Sequence, residues 1–136
     1  MIGLIFLLSF AIWRYIDTGL PNAFTTAFPS DLKVYLLGGE KVATHQPLYD
    51  ADLLPGLPFT YPPFAGVVFS WLTESTTLGV VWKLASVLVV LLVVRASTSK
   101  DALLLTAVFV LCLSPVQGTL FFGQINLLLM GLVCLD

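Results

Sequence analysis

The chain has 136 residues, 58% of them hydrophobic and only 10% charged, with a formal net charge of −2. A water-soluble domain carries about 25% charged residues, so composition excludes an ordinary soluble enzyme and also a disordered chain. The absence of a basic run excludes nucleic acid as a partner, and the mean hydropathy of +0.99 leaves an integral membrane protein, whose first partner is the lipid bilayer.

In chain order, residues 1–16 form an apolar run interrupted by Arg14. It lacks the positively charged start of a signal peptide, so it is expected to be a first transmembrane helix or signal anchor, with the arginine snorkelling to the interface. Residues 17–60 hold seven of the 14 charges: Asp17, Asp31, Lys33, Glu40, Lys41, Asp50 and Asp52. Within this polar loop, Pro29-Ser30-Asp31 reads as a helix start, with Ser30 as N-cap and Asp31 in the first turn. Leu32, Tyr35, Leu36 and Ala43 fall near helical spacing, which predicts a short helix lying on the membrane surface. Gly38-Gly39 opposes that helix. Residues 46–60 contain three prolines and are expected to be irregular.

Tyr61-Pro62-Pro63 opens an apolar run to Leu72. After a polar break over 74–77, Leu78–Val94 is the clearest span, interrupted only by Lys83. That lysine either snorkels or faces a bundle interior. Arg95–Asp101 is a polar turn, Ala102–Val116 a further span and Ile125–Leu135 the start of another. The 34 residues from Ala102 to Leu135 carry no charge, far more than a helix needs to cross about 30 Å of hydrocarbon. They must fold back, at Ser114–Gly118 or at Gly123-Gln124. If all five apolar segments span and the N-terminus is inside, the charged loop lies outside, but so do Arg95 and Lys100, against the positive-inside rule. A re-entrant segment over 62–72 would remove the conflict.

Among the polar side chains, Asp31 has two readings. In one it only stabilises its helix dipole, worth about 0.3–1 kcal/mol. In the other it is a carboxylate where membrane meets water, able to act as general base on a sugar hydroxyl. Lys33 belongs to a solvated face or neutralises a phosphate. Asp50 and Asp52 suit turns, and Glu40 and Lys41 a solvated surface. His45 suits a surface position or a loop cap. Gln124 and Asn126 flank an apolar segment and suit hydrogen bonds between helices. Cys112 and Cys134 sit in apolar runs. No metal-ligand spacing or cofactor-binding loop is present in the sequence.

Several stretches then converge. Ser30-Asp31-Leu32-Lys33-Val34-Tyr35 is followed by Gln46-Pro47-Leu48-Tyr49-Asp50. Next come Phe59-Thr60-Tyr61-Pro62-Pro63-Phe64-Ala65, Ser114-Pro115-Val116 and Gly123-Gln124-Ile125-Asn126-Leu127-Leu128. Across roughly residues 25–130 this order resembles the amino-terminal third of glycosyltransferase family 87, the polyprenol-phosphate-sugar-dependent mannosyltransferases and arabinofuranosyltransferases. The resemblance implies an all-α, polytopic membrane domain, the N-terminal part of a C-type glycosyltransferase helix bundle. It implies a plasma-membrane location with loop 17–60 outside, a polyprenyl-phosphate sugar donor and a cell-envelope glycolipid or glycan acceptor. It maps the family's catalytic aspartate in a D-x-x-x-Y setting onto Asp31, with Tyr35 four residues on. Lys33, Tyr35, Tyr61, Gln124 and Asn126 become the candidate substrate-binding residues, the last two in a structural or site-supporting role.

Members of the family carry many more spans. The chain is therefore expected to be an N-terminal fragment, a truncated product or half of a split enzyme, inactive alone. The competing reading is a non-catalytic polytopic scaffold or transporter subunit. It explains the hydropathy equally well but not a Pro- and aromatic-rich loop that holds half of the charges.

Overall fold

The computed structural model describes residues 27–134, together with Phe6, Ser9, Phe10, Ile12 and Trp13. These five are helical, and the rest of the expected first transmembrane segment lies outside the described residues. Among the described residues the chain is all-helical, with no strand. From residue 30 onward there are six named helices, α1 (Ser30–Ala43), α2 (Pro63–Phe69), α3 (Thr76–Ser97), α4 (Leu103–Leu111), α5 (Ser114–Phe122) and α6 (Asn126–Cys134). The chain forms two compact units, Thr26–Val80 and Met1–Thr25 with Val81–Asp136.

In the first unit, α1 starts one residue earlier than expected. Pro29, extended at φ −65° and ψ 134°, takes the N-cap position without a side-chain cap bond, and its carbonyl accepts the Lys33 amide at 3.0 Å. Ser30 is thus inside the helix, and its hydroxyl donates to Asp31 Oδ1 at 3.3 Å. Proline fixes its own φ and lacks an N–H, so the chain enters the helix after it without a serine cap. Asp31 keeps its expected place in the first turn.

The helix runs through Gly38-Gly39, which the sequence set against it. A Cβ on Gly38 would enter the Phe59 ring, and one on Gly39 would meet the backbone of Phe69 and Ser70. Two glycines cost a helix about 1 kcal/mol each, and here close approach of α2 and the loop offsets that cost. α1 ends at Thr44, whose hydroxyl donates to Glu40 O at 2.8 Å. His45 follows at φ 57°, a left-handed helix-end position that makes it the loop cap. Val34, Leu48 and Phe59 form a small buried core, packed by Val42, Leu53, Leu54, Tyr61 and Ala65. The loop over 46–60 is irregular, as its prolines predict, yet closed on itself: Asp52 Oδ2 accepts the Gly56 amide at 3.1 Å, and Leu54 bridges Leu57.

In the second unit most of α3 forms the longest helix. Its 22 residues extend about 33 Å, and it is long and apolar enough to cross a membrane. α4 and α5 meet at a 62° bend. The bend sits at Cys112-Leu113, just ahead of the expected Ser114–Gly118 break, because Pro115 occupies the first turn of α5 and Leu113 is extended at ψ 134°. The expected Ala102–Val116 helix is therefore two helices. Gly123, at φ 73°, ends α5 in the left-handed conformation that glycine adopts without strain. Val90, Val94, Ala107, Leu120 and Leu127 make the core. Lys83 and Ser86 are buried on α3, and Gln117 and Thr119 on α5. Of the two readings of Lys83, burial favours the interior-facing one.

Candidate active site

The N-terminal turn of α1 and the return of the loop bring three of the predicted residues together. Asp31, Tyr35 and Tyr61 line one cavity of about 160 Å³, completed by Val34, Leu57, Pro58 and Thr60. One helical turn separates Asp31 from Tyr35, so both face the same side of α1. Tyr61 arrives from the end of the loop. Its hydroxyl lies 2.8 Å from that of Tyr35, and the two rings meet edge to face at a 4.9 Å centroid separation.

This corner is rigid for identifiable reasons. Tyr35 is only 2% exposed and rests against Phe69 of α2, with ring centroids 4.9 Å apart. Phe59 packs at 5.9 Å against the Tyr61 ring. Tyr49 donates its hydroxyl to the Tyr61 carbonyl at 2.6 Å, pinning the backbone where the loop passes the cavity. Tyr49 and Thr60 were not among the predicted site residues. The only signal for them lay in the Gln46–Asp50 and Phe59–Ala65 stretches already singled out.

Lys33 is placed elsewhere. Its ammonium pairs with Glu74 at 3.3 Å, both side chains being partly exposed, and it is not among the residues lining the cavity. Lys41 is not a free surface charge either. It donates to Asp50 Oδ1 at 2.6 Å and to Pro47 O at 3.0 Å. The hydrogen bond from Lys41 holds the Asp50 carboxyl below the ordinary aspartate value of 3.8.

Gln124 and Asn126 belong to the other unit and meet each other at the α5–α6 junction. Asn126 Nδ2 donates to Gln124 Oε1 at 3.2 Å, and Thr119 Oγ1 donates to the same oxygen at 3.4 Å. Trp82 Nε1 donates to Gly123 O at 3.0 Å, tying the junction to α3. These bonds gather at the α5–α6 junction, and neither Gln124 nor Asn126 lines the Asp31 cavity.

Chemically, the cavity offers one carboxylate beside phenol and threonine hydroxyls, with apolar walls. Such a set can accept a proton from an alcohol while holding a polyhydroxylated ring. It is smaller than the roughly 300–1,000 Å³ of a pocket that encloses a whole ligand.

Comparison with known proteins adds to this geometry. The sequence model of glycosyltransferase family 87 matches residues 59–136. The chain is 33% identical over 139 residues to a polyprenol-phosphate-mannose-dependent alpha-(1-2)-phosphatidylinositol mannoside mannosyltransferase of Mycobacterium tuberculosis, covering 82% of this chain and 33% of that protein. It is 31% identical over 144 residues to a polyprenol-phosphate-mannose-dependent alpha-(1-2)-phosphatidylinositol pentamannoside mannosyltransferase of Mycolicibacterium smegmatis, covering 95% of this chain and 33% of that protein. The chain thus spans about a third of the length of these relatives. No solved structure matches it.

Proposed function

Because the chain belongs to glycosyltransferase family 87, we propose that it carries the catalytic loop of a membrane mannosyltransferase, with Asp31 as the general base. The observation that supports this most is the convergence of Asp31, Tyr35 and Tyr61 on one cavity. The donor is a polyprenyl-phosphate sugar, mannose by analogy with the relatives, and the acceptor is a mannosylated phosphatidylinositol or a similar envelope glycolipid.

The reaction is a single displacement. Asp31 takes the proton of an acceptor hydroxyl, and the freed oxygen attacks the anomeric carbon. The bond from that carbon to the phosphate oxygen breaks, and polyprenyl phosphate leaves with the electron pair. Inversion at the anomeric carbon follows from attack opposite the leaving group. Tyr61 and Thr60 hold the acceptor ring by hydrogen bonds, and Tyr35 positions Tyr61. Lys33, held by Glu74, contributes to the phosphate only after leaving that partner. Gln124 and Asn126 act through the helix junction they stabilise.

The protein sits in the plasma membrane as a multi-pass protein with loop 17–60 outside, where lipid-linked sugars are used. α3 then carries the chain inward, so that Arg95 and Lys100 follow the positive-inside rule.

The decisive experiment measures transfer from radiolabelled polyprenyl-phosphate mannose in membranes, using the longest form of the protein that transfers sugar. Asp31→Asn keeps size and polarity but cannot accept the proton. It is expected to lose at least ~100-fold in rate, the low end of what a general base supplies, with membrane insertion unchanged. Full activity in Asp31→Asn would leave Asp31 as a helix-dipole residue only and would favour the scaffold reading.

A further inference from the structure

Among the described residues, one face of the first unit is strongly apolar and exposed. Phe64 is 70% exposed, Val67 50%, Val68 61% and Trp71 87%. These residues lie on or just after α2, whose opposite face, at Gly66 and Phe69, is buried. The exposed face is a built one: Gly39 lets the backbone of Phe69 and Ser70 settle directly onto α1, and this fixes which side of α2 points away.

Three observations say what covers that face. First, no Asp, Glu, Lys or Arg occurs from residue 53 to residue 73, so the segment that carries the patch brings no charge of its own into it. Second, α2 has seven residues, about 10 Å of helix, against about 30 Å of hydrocarbon. It cannot cross. Third, the chain comes back to where it started. Glu74, just beyond the patch, pairs with Lys33 of α1 at 3.3 Å. Gly79, in the first turns of α3, packs on Phe28 and Pro29, which precede α1. Residues 33 and 74 are charged and share one ion pair, so they lie on the same side of the membrane.

From these we infer that the α2 segment, residues 62–72, is a re-entrant wedge seated in the outer part of the bilayer. Phe64, Val67 and Val68 dip among the upper acyl chains. Trp71 sits at headgroup level, where an amphipathic ring with one N–H is most stable. The backbone groups of so short a helix end are satisfied by water and headgroups at that depth, which they would not be at the bilayer centre. The wedge holds the Tyr35–Tyr61 cavity at the membrane surface, since Phe69 of the same helix supports Tyr35. This placement does not depend on which reaction the cavity performs.

The test reconstitutes the chain in vesicles of phosphatidylcholine and phosphatidylglycerol, with phosphatidylcholine brominated either near the headgroup or near the chain ends. The emission lost in Trp71→Phe isolates Trp71 from the other two tryptophans. That component is expected to be quenched at least ~twofold more by shallow than by deep bromines, as for an interfacial tryptophan. Weak quenching by both positions, as when protein or a second copy covers the patch, overturns the inference, and so does stronger quenching by the deep position. A second readout uses Thr44→Cys and Ser75→Cys, each placed alone in a Cys112→Ala, Cys134→Ala background. Both are expected to react with an impermeant thiol reagent from the same side of intact cells. Labelling from opposite sides would make the 62–72 segment a span and overturn the wedge, whereas the Asp31→Asn assay could still succeed.

Discussion

The hydroxyl of Tyr35 lies 2.8 Å from the hydroxyl of Tyr61, joining the middle of α1 to a residue 26 positions further along the chain. Tyr35 is buried, so its hydroxyl depends on a partner inside the protein. The same bond orients the Tyr61 ring over the cavity that Asp31 opens into.

The pair is expected to act as a unit. Tyr35→Phe and Tyr61→Phe should each destabilise the chain by about 1 kcal/mol, the net worth of a hydrogen bond. The double variant should cost less than the sum, with a coupling of roughly 0.5–1 kcal/mol. Thermal unfolding in detergent of the four proteins closes the cycle. Strict additivity would show that the two hydroxyls do not depend on each other.

Gly39 offers a sharper test of how α1 and α2 meet. Gly39→Ala drives a methyl group into the Phe69–Ser70 backbone, and overpacking of this kind costs about 1–3 kcal/mol. Gly118→Ala is the control, because nothing lies within 4 Å of its Cβ position. In mid-helix that exchange should stabilise by about 0.5–1 kcal/mol. Opposite signs of the two shifts in midpoint temperature are expected, and a neutral Gly39→Ala would contradict the close approach.

The Lys41–Asp50 pair sets a pH signature in the polar loop. Its hydrogen bond places the folded Asp50 pKa below the ordinary 3.8. A carboxylate lowered in this way contributes stability above its unfolded value and loses it as pH falls through the folded value. In Lys41→Met the Asp50 midpoint should return upward to the ordinary range, and the part of the stability that the wild type loses in acid through this pair should disappear. Carboxyl chemical shifts followed through an NMR titration measure the midpoint. An unchanged midpoint in Lys41→Met would assign the shift to another cause.

The cavity is too small to enclose a lipid, a phosphate and two sugars together, and the chain covers about a third of its relatives. Expressed by itself, the 136-residue chain is therefore expected to enter the membrane and transfer no sugar. Fusing or co-expressing the downstream region of a relative should bring back Asp31-dependent transfer. Robust transfer by the purified chain alone would show that its own cavity suffices.

Much was determined by the sequence alone. Composition dictates a membrane protein, because 14 charges cannot coat a soluble surface. Periodicity and apolar length mark α1 and α3, and Pro115 and Gly123 mark the breaks on either side of α5, because these signals are local. The D-x-x-x-Y spacing also puts Asp31 and Tyr35 on one helical face, since four residues make about one turn. Contacts between distant segments were decided only by the tertiary structure. Gly38-Gly39 weakens a helix in isolation, and only the arrival of Phe59 and Phe69 explains why the helix continues. Lys33 as a surface or phosphate-binding residue and Lys41 as a surface charge were equally consistent with sequence. Which partner each takes, Glu74 or Asp50, depends on where a loop returns. The apolar run over 61–72 reads as a membrane segment in either case. The inferred re-entrant path rests instead on the Lys33–Glu74 ion pair between residues 41 apart in the chain, a separation that no local pattern encodes.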